Sequence, residues 1–545
     1  MIIEELKSAI KKACQEFDGS VEPELTRPEE QFGDFSTNVA LQLAKKNGKK
    51  PQEIAAKIVD ELKGQGIKAE TAGPGFINVR LSDEALWQAA MSAAELPKPN
   101  HGQEILVEFG DPNPFKEMHI GHVYGYVLGD AISSLLEASG AKVERLSYHG
   151  DVGLHVAKAI WGMRNDPNFD KGKVGDTVRN NIGLYYSKGS LAYEHDEKAK
   201  VKIERINQQI YDRSDPKINE LYDWGKQKSF DYFDQVLKDL GTHQAKRFLE
   251  SGSAEKGEKL VEQNLGKVFE KSDGAIVYKG EKVGLHTRVF ITSAGLPTYE
   301  TKDLGLAELK KEAYPKADCS IIITAHEQAE YFKVMLAALK EFDPATANIT
   351  THIYHGFVSL SSGKMSSRTG EVYSALSSIV DVDENIQKTF GEASSSVRNA
   401  AIKYGFLKHR LGSDIVYDMA ESFSLEGNSG PYLQYAHARA RSIIKKSDGT
   451  YSNVFGGKTF DPSERPLTRK ISEYPEVVSS AAAELMPSHI CTYLYELAQS
   501  FNRFYEVNQV IGDKRQNERL LLVEAYANVL NHGLKLLGIE APEKV

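Results

Sequence analysis

Cysteine is scarce in this 545-residue chain: Cys14, Cys319 and Cys491 stand far apart and form no CxxC pair, which argues against a disulfide framework and a local zinc knuckle. A reducing, cytoplasmic compartment is the expectation that follows. Long apolar runs are missing as well; none approaches the roughly 18–20 residues that a membrane helix needs, so no membrane association is expected. The opening segment MIIEELKSAIKKACQEF has helical apolar spacing, and its Glu4 and Glu5 speak against a secretory signal or an acid-poor transit peptide. It reads as a structural helix. A strongly basic balance is also absent. The net charge of -9 argues against indiscriminate nucleic-acid binding but is compatible with a local basic face on an acidic body.

What is present is ordinary for a soluble protein, 41% hydrophobic and 26% charged residues, in a chain too long for one core, since single cores stop growing at about 250–300 residues. Three or more domains are expected. Residues 1–95 alternate helical patterns with the Gly-rich stretch AGPGFINVRLS and read as a small α+β domain. From residue 96 to about 384 the pattern is α/β. EILVEF is a strand, DPNPFKEMHIGH a Pro-broken loop, VYGYVLGDAISSLLEASG a helix with Gly140 as its stop, and AKVERLSYHGD a second strand. A second β-α-β-α-β series runs from RVFIT through YETKDLGLAELKKE, CSIIITA and FKVMLAALKEF to ITTHIYHGFVSL. The charged, mainly helical residues from about 163 to 285 read as an insertion between two half-folds. After about residue 384 strand signals stop, and residues 385–545 read as an all-helical domain.

Two segments carry phosphate chemistry. In doubly wound α/β folds, ligands sit at the carboxyl ends of the strands, where helix N-termini present N–H groups to phosphate. HIGH, residues 119–122, falls at such a helix start: Gly121 leaves room for a nucleotide, and His119 and His122 offer donors to phosphate oxygens. Donors placed where charge builds up at an attacked α-phosphate stabilise the transition state more than the ground state. The second segment, KMSS with Lys364, Met365, Ser366 and Ser367, lies in the Gly/Ser-rich SSGKMSSRTG, which reads as a loop able to close over a triphosphate. Either tetrapeptide alone could be coincidental; their order, separation and context strengthen the pair.

Longer segments point to one family. FGDFSTNVALQLAKK, VEFGDPNPFKEMHIGH, YETKDLGLA, EQAEYF, GNSGPYLQYAHARARSI and NHGLKLLGIEAPEKV resemble the corresponding segments of arginyl-tRNA synthetases, a class I family, over nearly the whole chain. Cysteinyl, glutamyl and glutaminyl enzymes fit less well. The resemblance implies a Rossmann-like nucleotide-binding catalytic domain with a helical insertion, an N-terminal added domain and a helical anticodon-binding domain. It also implies ATP with Mg²⁺, L-arginine and tRNA-Arg as ligands, no structural metal, and a requirement for tRNA before arginine is activated. A monomer is the default expectation.

Arginine's guanidinium is a rigid, always charged fork of donors, so its pocket needs carboxylates. Tyr299 and Asp303 stand four apart on one helix face, and by the resemblance they bind the side chain, while Glu108, Asn113 and Gln328 hold the rest of the amino acid. From spacing alone, Tyr299 and Asp303 read as a surface helix pair, and Glu108 as a solvated strand end. Lys116 and Lys364 are both candidates for the triphosphate. On the tRNA side the resemblance singles out Phe32, Phe35 and Asn38 for the D-loop, and Tyr432, Tyr435, Arg439 and Arg441 for the anticodon; Phe32 and Phe35 could equally be core, and the helix could equally have a buried aromatic face. Three departures stand out: Asp111 where the family has Ser, Tyr331 where it has His, and Val152 where a Trp follows the Asp of HGD. Asp111 is expected either to point away from the triphosphate or to help hold Mg²⁺.

Overall fold

The computed structural model describes residues 2–175, 182–243, 245–361, 374–391, 394–447 and 459–544. Near the N-terminus, strands Phe35–Thr37, Phe76–Arg80 and Lys68–Ala72 form an antiparallel sheet, in that spatial order. Helices Val39–Asn47 and Pro51–Gly64 pack on it, and helix Ile2–Ala13 packs on Pro51–Gly64. Their apolar stripes, including Ile10, Val39, Ile54, Ile58 and Leu62, close over Ile77 and Val79 in a core of their own.

The α/β part is built on a five-stranded parallel sheet in the order Thr350–His355, Cys319–Ala325, Glu104–Glu108, Lys142–His149, Lys246–Leu249. EILVE and CSIIITA are almost continuously buried, as central parallel strands covered on both faces must be. Helix Ile120–Ala138 crosses from the third strand to the fourth; its stop is Gly140, whose φ of +98° is a left-handed conformation that favours glycine.

Three features differ from the expectation. RVFI, Arg288–Ile291, does not join this sheet but pairs antiparallel with Ala275–Tyr278, itself paired with Glu270–Ser272. Phe290 packs there against Phe269 and Tyr278, in a core that also takes in Ile322 of the main sheet. The place beside Lys142–His149 goes instead to Lys246–Leu249, from the stretch read as a helical insertion. This four-residue edge strand buries fully only Phe248, so it has no apolar run to reveal it. The helices lying within that stretch are Gly183–His195, Glu197–Asp212, Pro216–Leu240 and Glu250–Gln263. Finally, ITTHIYHGFVSL is two strands broken at Gly356, where a Cβ would lie 2.3 Å from the Ser413 carbonyl oxygen. The second piece, Val358–Leu360, pairs in parallel with Ile415–Tyr417, a strand in the region expected to be wholly helical.

The remaining C-terminal helices, among them Gly430–Lys445, Ser488–Val507 and Gln516–Leu536, share a continuous core with helix Ile120–Ala138, from Tyr124 through Phe406 to Leu494 and Tyr526. Among the described residues, no helix is long and apolar enough to cross a membrane.

Candidate active site

The chain leaves strand Glu104–Glu108 through an unusual turn: Gly110 has φ +91°, and Asp111 and Phe115, neither of them glycine, have φ +48° and +67°. Left-handed bulky residues cost about 1–3 kcal/mol each and persist where their surroundings hold them. The buried Phe115 is held by its N–H, which donates to Ser229 Oγ at 2.9 Å, and by stacking on Tyr222. Gly110 passes so close beneath Tyr126 that a Cβ would sit 2.5 Å from that ring. The turn delivers the chain to the start of helix Ile120–Ala138.

There the His119 N–H donates to His122 Nδ1 at 3.2 Å, and the two rings lie 3.7 Å apart between centroids. Gly121 permits this, because a Cβ there would already press on the His119 ring at 3.0 Å. Since Nδ1 accepts, the proton of neutral His122 sits on Nε2. Burial, then Lys116, lower His119 to about 4; burial, then His119, lower His122 well below the ordinary range. At neutral pH both are uncharged donors. His355 from the edge strand joins them: its Nδ1 donates to the Gly356 carbonyl at 2.9 Å, leaving Nε2 toward Gly125.

These histidines share one cleft of ≈ 840 Å³ with Glu108, Asn113, Tyr299, Asp303 and Gln328, so all five residues singled out for the amino acid lie together with HIGH. Asp303 is buried rather than on a surface, and its Oδ2 accepts from the Tyr331 hydroxyl at 2.9 Å. Glu108 is buried too, ion-paired with the buried Lys310. Nearby, Glu250 pairs with Lys302 at 2.8 Å. Asp111 turns toward the neighbouring strand, its Oδ1 accepting the Tyr148 N–H at 2.7 Å. Among the described residues, no lysine or arginine forms an ion pair with Asp303 or Asp111. Burial, then the Glu108 carboxylate, push Asp303 up to about 8 and Asp111 well above the carboxylate range. The site thus has more buried carboxyls than cations, which suits a cationic ligand. Asn113 spends its side-chain oxygen on the Gly150 N–H at 2.9 Å, and Gly150 allows that approach. Tyr299 stands at the rim, 68% exposed.

Other residues fall elsewhere. Lys116 lies over the Tyr186 ring, 4.9 Å from its centroid, and burial lowers its pKa. Lys364, Met365, Ser366 and Ser367 lie outside the described residues. Phe35 is not available to a partner: it is 1% exposed, with the Arg27 guanidinium 3.8 Å from its ring centroid, because its strand faces the N-terminal core. Phe32 is exposed, and Asn38, preceding helix Val39–Asn47, accepts from Gln42 at 2.9 Å. On helix Gly430–Lys445 only Tyr435 among the aromatics is well exposed. The Tyr432 hydroxyl accepts from Asn502 at 2.9 Å, Arg439 covers Tyr505 and Arg441 pairs with Glu543, so much of that face docks on neighbouring helices.

Sequence reading missed Tyr148, Glu250, Lys302, Lys310 and His355. The lysines belong to a helix with charges on all sides, in which Glu300, Lys302, Asp303 and Lys310 are all buried; that density of charge in one helix was the available signal.

Three family models match the chain end to end: an arginyl tRNA synthetase N terminal domain at residues 1–81, the catalytic domain of class I (R) tRNA synthetases at 85–402, and a DALR anticodon binding domain at 433–545. The chain is 31% identical to an arginine–tRNA ligase of Bdellovibrio bacteriovorus, over 99% of this chain and 98% of that one. A ligase of the same name from Lactobacillus delbrueckii is 29% identical over 96% of both. The fold superposes on Thermus thermophilus arginyl-tRNA synthetase with a TM-score of 0.85 at 25% identity, covering 100% of each chain. A cleft in which neutral imidazole donors at a helix start adjoin a surplus of buried carboxyls is what such an enzyme requires, and with matches of this extent the chain belongs to the arginyl-tRNA synthetase family of class I aminoacyl-tRNA synthetases.

Proposed function

We propose that this chain activates L-arginine with ATP and transfers it to the 3′ end of tRNA-Arg. The observation that carries the reading is the union, in one cleft, of Asp303 and its acidic surroundings with the His119 and His122 pair. The guanidinium enters against Asp303 and Tyr299, while Glu108, Asn113 and Gln328 hold the remainder of the amino acid. Its carboxylate attacks the α-phosphate in line, pyrophosphate leaves, and the adenylate is then attacked by a terminal ribose hydroxyl of the tRNA.

The chain's contribution is positioning and charge stabilisation, without a covalent enzyme intermediate. His122 Nε2–H and His119 donate to the phosphate oxygens, and their neutrality avoids the cost of burying extra cations before ATP arrives. Lys116 and Lys364 share the triphosphate. Mg²⁺ enters with the nucleotide, held largely by its phosphates; Asp111 directs Oδ1 to the Tyr148 N–H, which favours the reading that it points away from the triphosphate. A buried polar array of this kind rejects analogues lacking the guanidinium by about 10⁴–10⁵, which makes an editing site unnecessary. The tRNA is held by residues 1–95 through Phe32 and Asn38, and by residues 385–545 through Tyr432, Tyr435, Arg439 and Arg441. We read the protein as a cytoplasmic monomer.

Pyrophosphate exchange with each amino acid, with and without total tRNA, tests this. Exchange dependent on arginine and on tRNA is expected; its absence with cognate tRNA present would sink the proposal.

A further inference from the structure

We infer that Tyr331 is the positioning residue of the guanidinium subsite: its hydroxyl holds one oxygen of Asp303 so that the other is presented to the substrate's cation. The inference rests on arginine being the substrate. Tyr331 lies on helix Ala329–Phe342, which packs on Tyr299–Ala313, the helix that carries Asp303. Its ring is fixed by stacking on Phe332 at 4.5 Å, and Phe332 in turn stacks on His352 at 4.1 Å. The hydroxyl donates to Asp303 Oδ2 at 2.9 Å and also approaches Gln328 Oε1 at 3.3 Å. One side chain thus touches both a residue proposed for the guanidinium and one proposed for the α-amino end.

The surroundings of Asp303 give this contact a chemical role. Glu108 on the central strand, Asp111 on the following turn and Glu250 on helix Glu250–Gln263 all disfavour its ionisation, and Lys310 from its own helix and the Tyr331 hydroxyl favour it; the Tyr148 hydroxyl, on the strand beside Glu108, faces the same acids. Only the ionised carboxylate pairs with a guanidinium. A donor on Oδ2 therefore does two things: it fixes the carboxylate plane, and it keeps the anion accessible near neutral pH. Replacing the hydroxyl by hydrogen leaves the packing and removes both.

The experiment uses the full-length chain and its Tyr331→Phe and Tyr331→His variants. L-Arginine binding is measured by calorimetry from pH 6.5 to 9.5, alongside pyrophosphate exchange in the presence of tRNA. For Tyr331→Phe the arginine Kd and KM at pH 7.5 should rise about tenfold, the loss expected for a hydrogen bond to a charged group. The deficit should shrink toward pH 9.5, with the ATP KM and melting temperature unchanged, and Tyr331→His, which keeps a donor, should recover part of it. A Phe variant with the wild-type arginine KM and pH profile overturns the inference, as does one whose ATP KM and melting temperature change in step with arginine. Wild-type protein that binds no arginine at any pH overturns the substrate assignment, and the inference with it.

Discussion

Asp303 illustrates how a side chain that looks like a surface helix residue in the sequence becomes an electrostatic device once buried. Its pKa, pushed up to about 8, lies above the ordinary carboxylate range. Between about pH 4 and 8 the folded protein therefore holds a proton that the unfolded chain has released, and stability falls as pH rises through that window. Asp303→Asn should flatten this dependence: without arginine, the melting temperature should drop less between pH 6 and 8.5 than in the wild type, while arginine affinity is lost. An identical pH dependence of the two melting temperatures would contradict the assignment. The histidines act on the other substrate. His122→Asn, which removes the Nε2 donor, should slow arginine activation by about 10²–10³, the usual cost of one transition-state donor, with arginine binding preserved; pyrophosphate exchange and calorimetry together distinguish chemistry from binding.

The acid pocket depends on two helices brought unusually close. At Gly305 a Cβ would lie 1.9 Å from the Ser253 carbonyl oxygen, and at Gly257 a Cβ would lie 1.9 Å from that of Thr301. These reciprocal glycines let helix Glu250–Gln263, which carries Glu250, press against Tyr299–Ala313, which carries Asp303 and the lysines. Backbone atoms cannot yield as a flexible side chain does. Gly305→Ala should therefore destabilise the protein by about 3 kcal/mol or more in denaturant unfolding and weaken arginine binding with it. A variant of wild-type stability would mean that the helices can separate without cost. At this scale the long apolar strands and the helix after HIGH were legible, because their burial pattern is their sequence pattern. The edge strand Lys246–Leu249 was not, and neither was the exclusion of Arg288–Ile291 from the main sheet. Both strands are four residues long, too short for periodicity to tell which sheet they join.

Across the whole molecule, buried charges tie the parts together. Arg465 reaches from helix Arg465–Ser472 to Asp34 and to Asp83, each at 2.7 Å, and Arg27 pairs with Glu476. Lys403 donates to the carbonyls of Gly241, just after helix Pro216–Leu240, and Gly538, near the C-terminus, at 2.8 and 2.6 Å. Breaking a buried pair from one side leaves an uncompensated charge and costs about 3–5 kcal/mol. Arg465→Met should accordingly loosen the N-terminal domain, seen as faster limited proteolysis between residues 81 and 104 and a separate early melting step. A single transition at the wild-type temperature would show that apolar contacts alone hold that domain.

Much of the site was legible in the chain itself. HIGH at a helix start and the long buried strands are local patterns, and local patterns reflect the helix and strand periods that backbone geometry imposes; Asp303 within YETKDLGLA was singled out by the family resemblance. The partners that give those residues their chemistry were not legible. Tyr331 on Asp303, Lys310 on Glu108 and Lys116 over Tyr186 are contacts made by the tertiary fold, some across long stretches of chain. Phe35 and Tyr435 show the same limit, for the aromatic side chain that turns inward and the one that turns outward are chemically alike. The likeness of the chain's longer segments to those of arginyl-tRNA synthetases therefore pointed to the family and the outline of its reaction. Burial, which only the folded packing of helices and strands creates, decided which carboxyls compete, which imidazoles stay neutral and which aromatics remain free to meet a partner.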